Sequence, residues 1–416
     1  MGASARSDTS SIPSPESGPV PPVSSPVSSL FSSRTSRLTA GLGGVLLVVG
    51  AYDPERWPWM VAGAMLLGIG IAGCWLKRES SWSLVFGGAL LARIALFPLE
   101  PSLSDDAFRY VWDGLLQLQG LNPYLYVPAD PALEALRSGE LFSRLNSPER
   151  YTVYPPVSQL VFGASALFYE ADTRTAYYLM KGFMAVFDLG TIALLSRMVS
   201  ARAVLLYAWN PLVLLELTGQ GHEEAIMVFF LVATVYLLRT DRDRWAVCAL
   251  TLAGWVKLYP FFLMPLLLNR TGWKRIWVAV FTSVLVWIPY AAPGVLHNIL
   301  ESLRLYVQLF EFNAGPYYLL KQIFYALTGA AWSKQIGPTF AGLFLASLPI
   351  TYWWDRHASW TWSQVAVGVM GTYFALATTV HPWYLTGILA LLPLLPRVGG
   401  HWIWLGVFSV GTYLFY

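Results

Sequence analysis

The sequence predicts an all-α polytopic membrane protein, that is, one that crosses the bilayer many times. Of its 416 residues, 56% are apolar and 12% are charged, about half of the roughly 25% charge typical of soluble domains. Its mean hydropathy is +0.50. A soluble chain of this size could not cover so much apolar surface with polar groups. The composition therefore excludes a soluble enzyme, a disulfide-stapled secreted domain and a disordered protein.

Net charge and cysteine content exclude further classes. The formal net charge of +3 is too small to indicate a nucleic-acid partner. Cys74 and Cys248 are the two cysteines, and both lie within apolar runs, so neither a disulfide framework nor a cysteine metal site is expected. Channel, transporter, scaffold and membrane enzyme all remain open at this level.

The chain divides into a tail and a membrane domain. Residues 1–37 are rich in Ser and Pro and predict a disordered cytoplasmic tail without the pattern of a signal peptide. Residues 38–416 form the membrane domain, which one long polar segment interrupts over 100–154. The roughly 320 apolar residues that remain correspond to about 11–13 helical spans of about 20 residues each.

Clusters of Lys and Arg set the predicted orientation, because basic residues collect in cytoplasmic loops. Spans over about 38–52, 57–76 and 82–99 then alternate across the membrane, which places 100–154 outside. The other connections predicted on the outer side are 218–224, 293–314 and the region of His381.

Three stretches depart from simple spans. The run 245–268 is interrupted at Lys257–Pro260 and predicts two short helices that meet near the outer surface. Two helical runs, 156–169 and 177–196, lie where the charge pattern requires an odd number of crossings, so one of them is expected to be re-entrant or interfacial. The run 316–330 raises the same question.

The strongest polar constellation follows the third predicted span. Asp105 and Asp106 emerge from the apolar run and are followed by Arg109, Tyr110 and Trp112. In a helix, Arg109 shares a face with both aspartates. Capping of the helix by its first residues is the structural alternative. Capping does not require two aspartates, and ionisable groups near a membrane are functional candidates by default.

Two polar motifs lie further along the same outer segment. Gly120–Tyr124 contains Asn122, and Tyr154 precedes two prolines. Tyrosine rings and amide side chains can hold sugar rings. We therefore include Asn122 and Tyr154 in the predicted site, beside the aspartate pair.

A second constellation occupies the predicted turn 218–224. It contains His222 and Glu224, and Glu216 lies just inside the end of the preceding span. A metal site built on His222 lacks the second histidine at i+4 that a zincin helix requires. A solvated loop is the alternative for the turn, but Glu216 is harder to explain in that way.

Two late motifs complete the predicted site. Lys257 lies in the middle of an apolar run and needs a phosphate, a carboxylate or the interface as its partner. His381 is followed by Trp383 and Tyr384 between two late spans. A packed, satisfied histidine is the alternative there, and its predicted outer position favours the site.

Together these groups fit chemistry on a lipid-phosphate-linked sugar. An outer site offers no nucleoside triphosphate. The cations Arg109, Lys257, His222 and His381 would hold a phosphate leaving group as its charge builds. One aspartate would take the proton from an acceptor hydroxyl as it attacks the anomeric carbon, and a single displacement inverts that carbon.

The motifs resemble the GT-C superfamily of polytopic glycosyltransferases, which use polyprenyl-phosphate sugars. They are most similar to its bacterial mannosyltransferase-like branch and to the related GPI mannosyltransferases. The segments that carry the resemblance are Ser104–Gly114, Gly120–Tyr124, Tyr154–Pro156, Trp209–Pro211, Gly221–Glu224, Lys257–Pro260 and His381–Tyr384.

The resemblance implies a GT-C-like bundle with 100–154 as its large extracytoplasmic catalytic loop, in a bacterial inner membrane. Asp105 matches the first acidic position of the family's pair and would be the general base, and Asp106 would orient the acceptor or a metal. The donor would be a polyprenyl-phosphate sugar, with mannose favoured and arabinose or glucose open, and the acceptor a lipid-linked or other glycan.

Two departures from the family pattern stand out. The branch often has Gly-His-Asn-Asp where this chain has Gly-His-Glu-Glu at 221–224, and its first large loop usually follows the first span, not the third. A transporter or flippase for a lipid-linked sugar is the alternative function, although no internal repeat of the kind many transporters have is evident. No cofactor is certain, since a carboxylate pair can bind a divalent metal or act without one.

Overall fold

The computed structural model describes residues 33–53, 55, 57–76, 81–169, 172–309, 311–330, 332–397 and 399–415. Within these ranges the chain is mostly helical, and its β structure is an isolated bridge between Phe312 and Thr379. The predicted all-α class is confirmed. The α-helices are α1 (Ser33–Ala51), α2 (Trp57–Leu76), α3 (Trp82–Leu96), α4 (Asp106–Leu118), α5 (Glu140–Ser143), α6 (Pro156–Ala166), α7 (Thr173–Ser196), α8 (Ala201–Ala208), α9 (Pro211–Gly219), α10 (Glu224–Arg239), α11 (Asp243–Gly254), α12 (Met264–Thr271), α13 (Ile276–Trp287), α14 (Val295–Leu309), α15 (Gly315–Thr328), α16 (Ser333–His357), α17 (Trp362–Leu376), α18 (Thr386–Leu391) and α19 (Ile403–Gly411).

Short 3-10 segments connect several of these helices. They are Pro131–Ser138, Tyr259–Leu263, Trp273–Arg275, Ile288–Tyr290, Pro382–Leu385, Leu392–Leu394, Gly400–Trp402 and Thr412–Phe415. Within α9, residues Leu214–Gly219 form a π-helical turn, a feature that is often found at functional sites.

The described residues contain two helices, α2 and α7, that are long and apolar enough to cross a membrane. Two bent pairs each qualify as one broken span, which raises the number to four. They are α9 with α10, bent by 120°, and Trp273–Tyr290 with Val295–Arg304, bent by 101°. The chain is therefore a membrane protein, while the predicted 11–13 spans and their orientation stay predictions.

The first three helices lie where the predicted spans do. The predicted tail 1–37 falls mostly outside the described residues, and its last five residues, 33–37, already belong to α1. Glycines bring the backbones of α1 and α2 into direct contact. A Cβ atom added at Gly43 would lie 2.2 Å from the Leu67 nitrogen, and one at Gly63 would lie 2.2 Å from the Leu47 nitrogen. Small residues allow this close approach between helices in membranes.

Breaks occur where the sequence predicts them. The run 245–268 is divided into α11, which ends at Gly254, and α12, which begins at Met264 after a 3-10 segment. The two runs predicted between 156 and 196 are α6 and α7. The second begins at Thr173 because Asp172 caps it by accepting hydrogen bonds from the Thr175 amide and hydroxyl.

Candidate functional site

Four segments that are far apart in the sequence meet in one polar cluster. They are the start of α4, the turn before α10, the break after α11 and the connection before α18. The Asp106 carboxylate lies within electrostatic range of His222, His381 and Tyr384. The structure thus brings together residues from the polar motifs that the sequence singles out, with the exception of the Gly120–Tyr124 motif that contains Asn122.

The two aspartates at the start of α4 lie in different environments. Asp105 is exposed and its side chain caps no amide. Asp106 is half-buried and accepts a 3.0 Å hydrogen bond from Asn146 Nδ2. The Asp106 amide is satisfied by the Ser104 hydroxyl at 3.2 Å. Neither aspartate side chain therefore serves as a helix cap, and Asp106 is the one that faces the cluster.

Arg109 belongs to a closed network within and beside α4. Its Nε donates to Asp113 Oδ1 at 3.0 Å, and both side chains are almost fully buried. The second Asp113 oxygen accepts from Thr152 at 2.5 Å and from Gln159 at 2.7 Å. The Arg109 charge is thus compensated one turn further along its own helix. Asp113 is absent from the predicted site, although its i,i+4 spacing from Arg109 predicts this pair.

Lys257 is held by two buried glutamates. Its Nζ lies 2.8 Å from Glu223 Oε1 and 3.1 Å from Glu224 Oε1, and both glutamate side chains are inaccessible to solvent. The Tyr384 and Tyr154 ring centroids lie 5.3 and 5.7 Å from Nζ. Snorkelling is therefore not needed to explain this lysine. Glu223 was absent from the predicted site, although it lies in the same Gly-His-Glu-Glu run.

The turn before α10 holds a second buried pair. His222 Nδ1 lies 2.9 Å from Glu216 Oε2, and both side chains are buried. The other Glu216 oxygen accepts a hydrogen bond from the Tyr413 hydroxyl, a residue that the sequence did not indicate. Within the residues that the structure describes, no group of three or more His, Cys, Asp and Glu side chains is arranged to hold a metal ion.

Four rings form one continuous stack beside this pair. The His222 and Trp383 centroids lie 4.1 Å apart, those of Trp383 and His381 4.4 Å, and those of His381 and Phe312 4.6 Å, all nearly parallel. Imidazoles cover both faces of Trp383, so this ring has no free face for a sugar. Burial lowers the pKa of His381 to about 4, so its ring is neutral at neutral pH.

The remaining predicted residues take different places. Tyr110 stacks on Phe162 at 4.7 Å and lies edge-on to Tyr154 at 4.9 Å, with its hydroxyl in electrostatic range of Asp106. Trp112 is fully buried beside Phe142 and is a core residue.

Asn122 lies away from the cluster and supports a neighbouring wall. Its amide nitrogen donates to the Tyr290 carbonyl at 3.0 Å, and its amide oxygen accepts from the Tyr124 amide at 3.1 Å.

An apolar cleft of about 650 Å³ adjoins the cluster. Tyr154 belongs to both, since it lines the cleft and lies beside the Lys257 ammonium. The residues that line the cleft are Tyr124, Val153, Tyr154, Pro155, Trp255, Leu258, Trp287, Ala291, Ala292, Val295, Leu296, Ile299, Leu300 and Leu303. Helix α14 forms one wall, and aromatic side chains form much of the rest.

Comparison with known proteins identifies a family whose sequence model fits this chain. The sequence model of the alpha-(1->6)-mannopyranosyltransferase N-terminal domain family matches residues 22–271. This range contains Asp106, Glu223 and Lys257, and it ends before His381. No curated protein and no solved structure matches the chain.

Proposed function

The chain belongs to the alpha-(1->6)-mannopyranosyltransferase family, and from this premise we propose the reaction that its polar cluster performs. The protein is a glycosyltransferase. In our proposal it moves mannose, with inversion, from a polyprenyl-phosphate donor to a lipid-linked or glycan acceptor. The reaction takes place at the extracytoplasmic face of a bacterial inner membrane.

The observation that carries the proposal is the junction of the apolar cleft with the Lys257 group. Donors of this class join an apolar chain to a charged phosphate and a polar sugar. The cleft accepts the chain, because its lining is almost entirely apolar and aromatic. The cleft meets the polar cluster at Tyr154, where the Lys257 ammonium lies 5.7 Å from the ring centroid. The phosphate then lies at the point where the lining changes from apolar to charged.

Lys257 provides the positive charge for this phosphate. Its ammonium has three N–H donors, and the Glu223 and Glu224 oxygens lie 2.8 and 3.1 Å from Nζ. In this proposal one N–H of the ammonium binds a phosphate oxygen whose negative charge increases as the glycosidic bond breaks. Tyr154 and Tyr384 flank the same nitrogen and are placed to contact the sugar ring.

The general base in this proposal is Asp106. The acceptor hydroxyl oxygen attacks the anomeric carbon, the bond from that carbon to the phosphate oxygen breaks, and the polyprenyl phosphate leaves with the bonding electrons. The hydroxyl proton passes to the carboxylate. Asp105, the base that the sequence predicts, is exposed, whereas Asp106 lies within range of His222, His381 and Tyr384. Asp105 stays the alternative.

Matched substitutions separate the two aspartates. We expect Asp106→Asn to lower mannose transfer by on the order of 10²- to 10⁴-fold, while Asp105→Asn retains most of it. The assay uses purified protein in liposomes with a panel of polyprenyl-phosphate sugars and mass analysis of the glycan product. Loss of transfer in Asp105→Asn alone would assign the base to Asp105. Full transfer by both variants would refute a carboxylate base in this pair. Movement of label across the liposome without a glycosidic product would indicate the transporter instead.

A further inference from the structure

Lys181 is a fully buried lysine with no carboxylate partner among the residues that the structure describes. It lies in α7, one of the two helices that could cross a membrane alone. Its Nζ donates to three backbone carbonyls, those of Leu96 at 3.2 Å, Leu99 at 2.8 Å and Gly219 at 2.5 Å. An ionisable group in such a position is costly and marks a functional candidate.

The three carbonyls belong to the ends of two helices. Leu96 is the last residue of α3, and Leu99 lies three residues beyond it. Gly219 is the last residue of α9. Helix ends of this kind leave carbonyl oxygens without intrahelical partners and carry partial negative charge, which a cation stabilises. The Lys181 ammonium therefore joins two helix C-termini that would otherwise repel each other.

Both helix ends lead directly into the polar cluster. Six residues after Leu99 the chain reaches Asp105, and three residues after Gly219 it reaches His222. The Lys181 stem also packs against the second of these segments. A Cβ atom at Gly221, where φ is +74°, would lie 3.3 Å from Lys181 Cγ.

Gln220 makes a second connection between the same two segments. Its Oε1 accepts from the Ser102 and Leu103 amides, both at 3.0 Å. Tyr177, one turn before Lys181 on α7, donates towards the Leu99 and Gln220 carbonyls at 3.4 and 3.3 Å. The segment before Asp106 and the turn before Glu224 are thus fastened to each other and to α7.

We propose that Lys181 is a positioning residue: by joining the ends of α3 and α9, it sets the distance between Asp106 and the His222–Glu224 turn. The inference rests on the proposed function, since that spacing matters for catalysis only if the two groups act on one substrate. Lys181 itself touches no substrate.

Hydrogen–deuterium exchange tests the positioning without any activity. We expect Lys181→Met to raise amide exchange in peptides that cover 97–106 and 216–224, and to leave the peptides of α16 and α17 unchanged. The matched control is Thr191→Val, which removes a buried hydroxyl of the same helix that donates to the Phe187 carbonyl one turn before it. Unchanged exchange in Lys181→Met, or equal changes in the control, would overturn the proposal.

Kinetics test the consequence for transfer. A displacement of about 1 Å can cost on the order of 10²-fold in rate, so Lys181→Met should lower kcat by that order with little change in the donor KM, and Lys181→Arg should restore part of it. In an Asp106→Asn background, Lys181→Met should lower kcat by a much smaller factor, because the correctly placed base is already lost. Equal loss in both backgrounds would overturn the positioning role. Absence of transfer by the wild type would instead refute the proposed function, and the exchange result would still stand.

Discussion

Replacing Lys257 with methionine should destabilise the protein, because it leaves two glutamates buried without their counter-charge. The ammonium lies 2.8 and 3.1 Å from the two carboxylates. At an effective dielectric constant of about 20, each attraction is on the order of 5 kcal/mol, much of which offsets the cost of burying the charges. Removal of one partner from a buried pair costs about 3–5 kcal/mol in folding free energy, a large part of the total of about 5–15 kcal/mol.

The measurement is the apparent melting temperature of the detergent-solubilised protein at a fixed scan rate. Lys321→Met is the matched control. It also breaks a lysine–glutamate pair, but Lys321 and Glu311 are 29% and 27% exposed, and pairs accessible to solvent contribute about 0–1 kcal/mol. We expect a large fall in melting temperature for Lys257→Met and a small one for the control.

A compensating variant identifies the cause. Adding Glu223→Gln and Glu224→Gln to Lys257→Met removes the unpaired charges, so most of the lost stability should return. The deficit of Lys257→Met alone should also shrink as the pH is lowered, because burial raises the pKa of the Glu223 carboxyl and its protonation removes one of the unpaired charges. If the triple variant melts as low as the single one at every pH, packing and not charge accounts for the loss, and the reasoning is refuted.

Three further predictions concern packing and substrate contacts. Gly63→Val should reduce the yield of folded protein, measured by size-exclusion chromatography, because a Cβ there would meet the Leu47 nitrogen at 2.2 Å. A monodisperse yield equal to that of wild type would contradict the close contact of α1 with α2. Leu300→Lys places a charge in the cleft wall at a side chain that is 56% exposed. It should raise KM for long-chain donors and leave KM for short, water-soluble donors unchanged. Equal effects on both kinds of donor would show that the lipid chain does not bind in the cleft. Tyr384→Ala should weaken donor binding and Tyr384→Phe should not, because the ring face and not the hydroxyl flanks Lys257, as isothermal titration with the donor can show.

The sequence predicted several helices from local patterns. The lengths of the apolar runs predicted the positions of α1 to α3, and the interruption at Lys257–Pro260 predicted the break between α11 and α12. The sequence could not show which of two adjacent residues of the same type faces the site, because that depends on tertiary contacts. Asp105 and Asp106 are adjacent residues of the same type, so the sequence does not distinguish them. The hydrogen bond from Asn146 to Asp106 in the folded protein shows which carboxylate faces inwards. The burial of Trp383 between two imidazoles likewise depends on a contact between segments about 160 residues apart in the sequence.

The pair of Lys257 with the two glutamates is a contact that the sequence could have predicted. Helices α10 and α11 form an antiparallel hairpin whose connection contains Asp241 at φ 56°. Positions at equal distances from such a connection lie side by side, and Glu224 is 17 residues before Asp241 while Lys257 is 16 residues after it. The helix dipoles favour the same arrangement, since Glu224 lies in the first turn of α10 and Lys257 lies just beyond the end of α11, where negative and positive charges are respectively stabilised. The hairpin therefore places the lysine beside both glutamates, 2.8 and 3.1 Å from their oxygens.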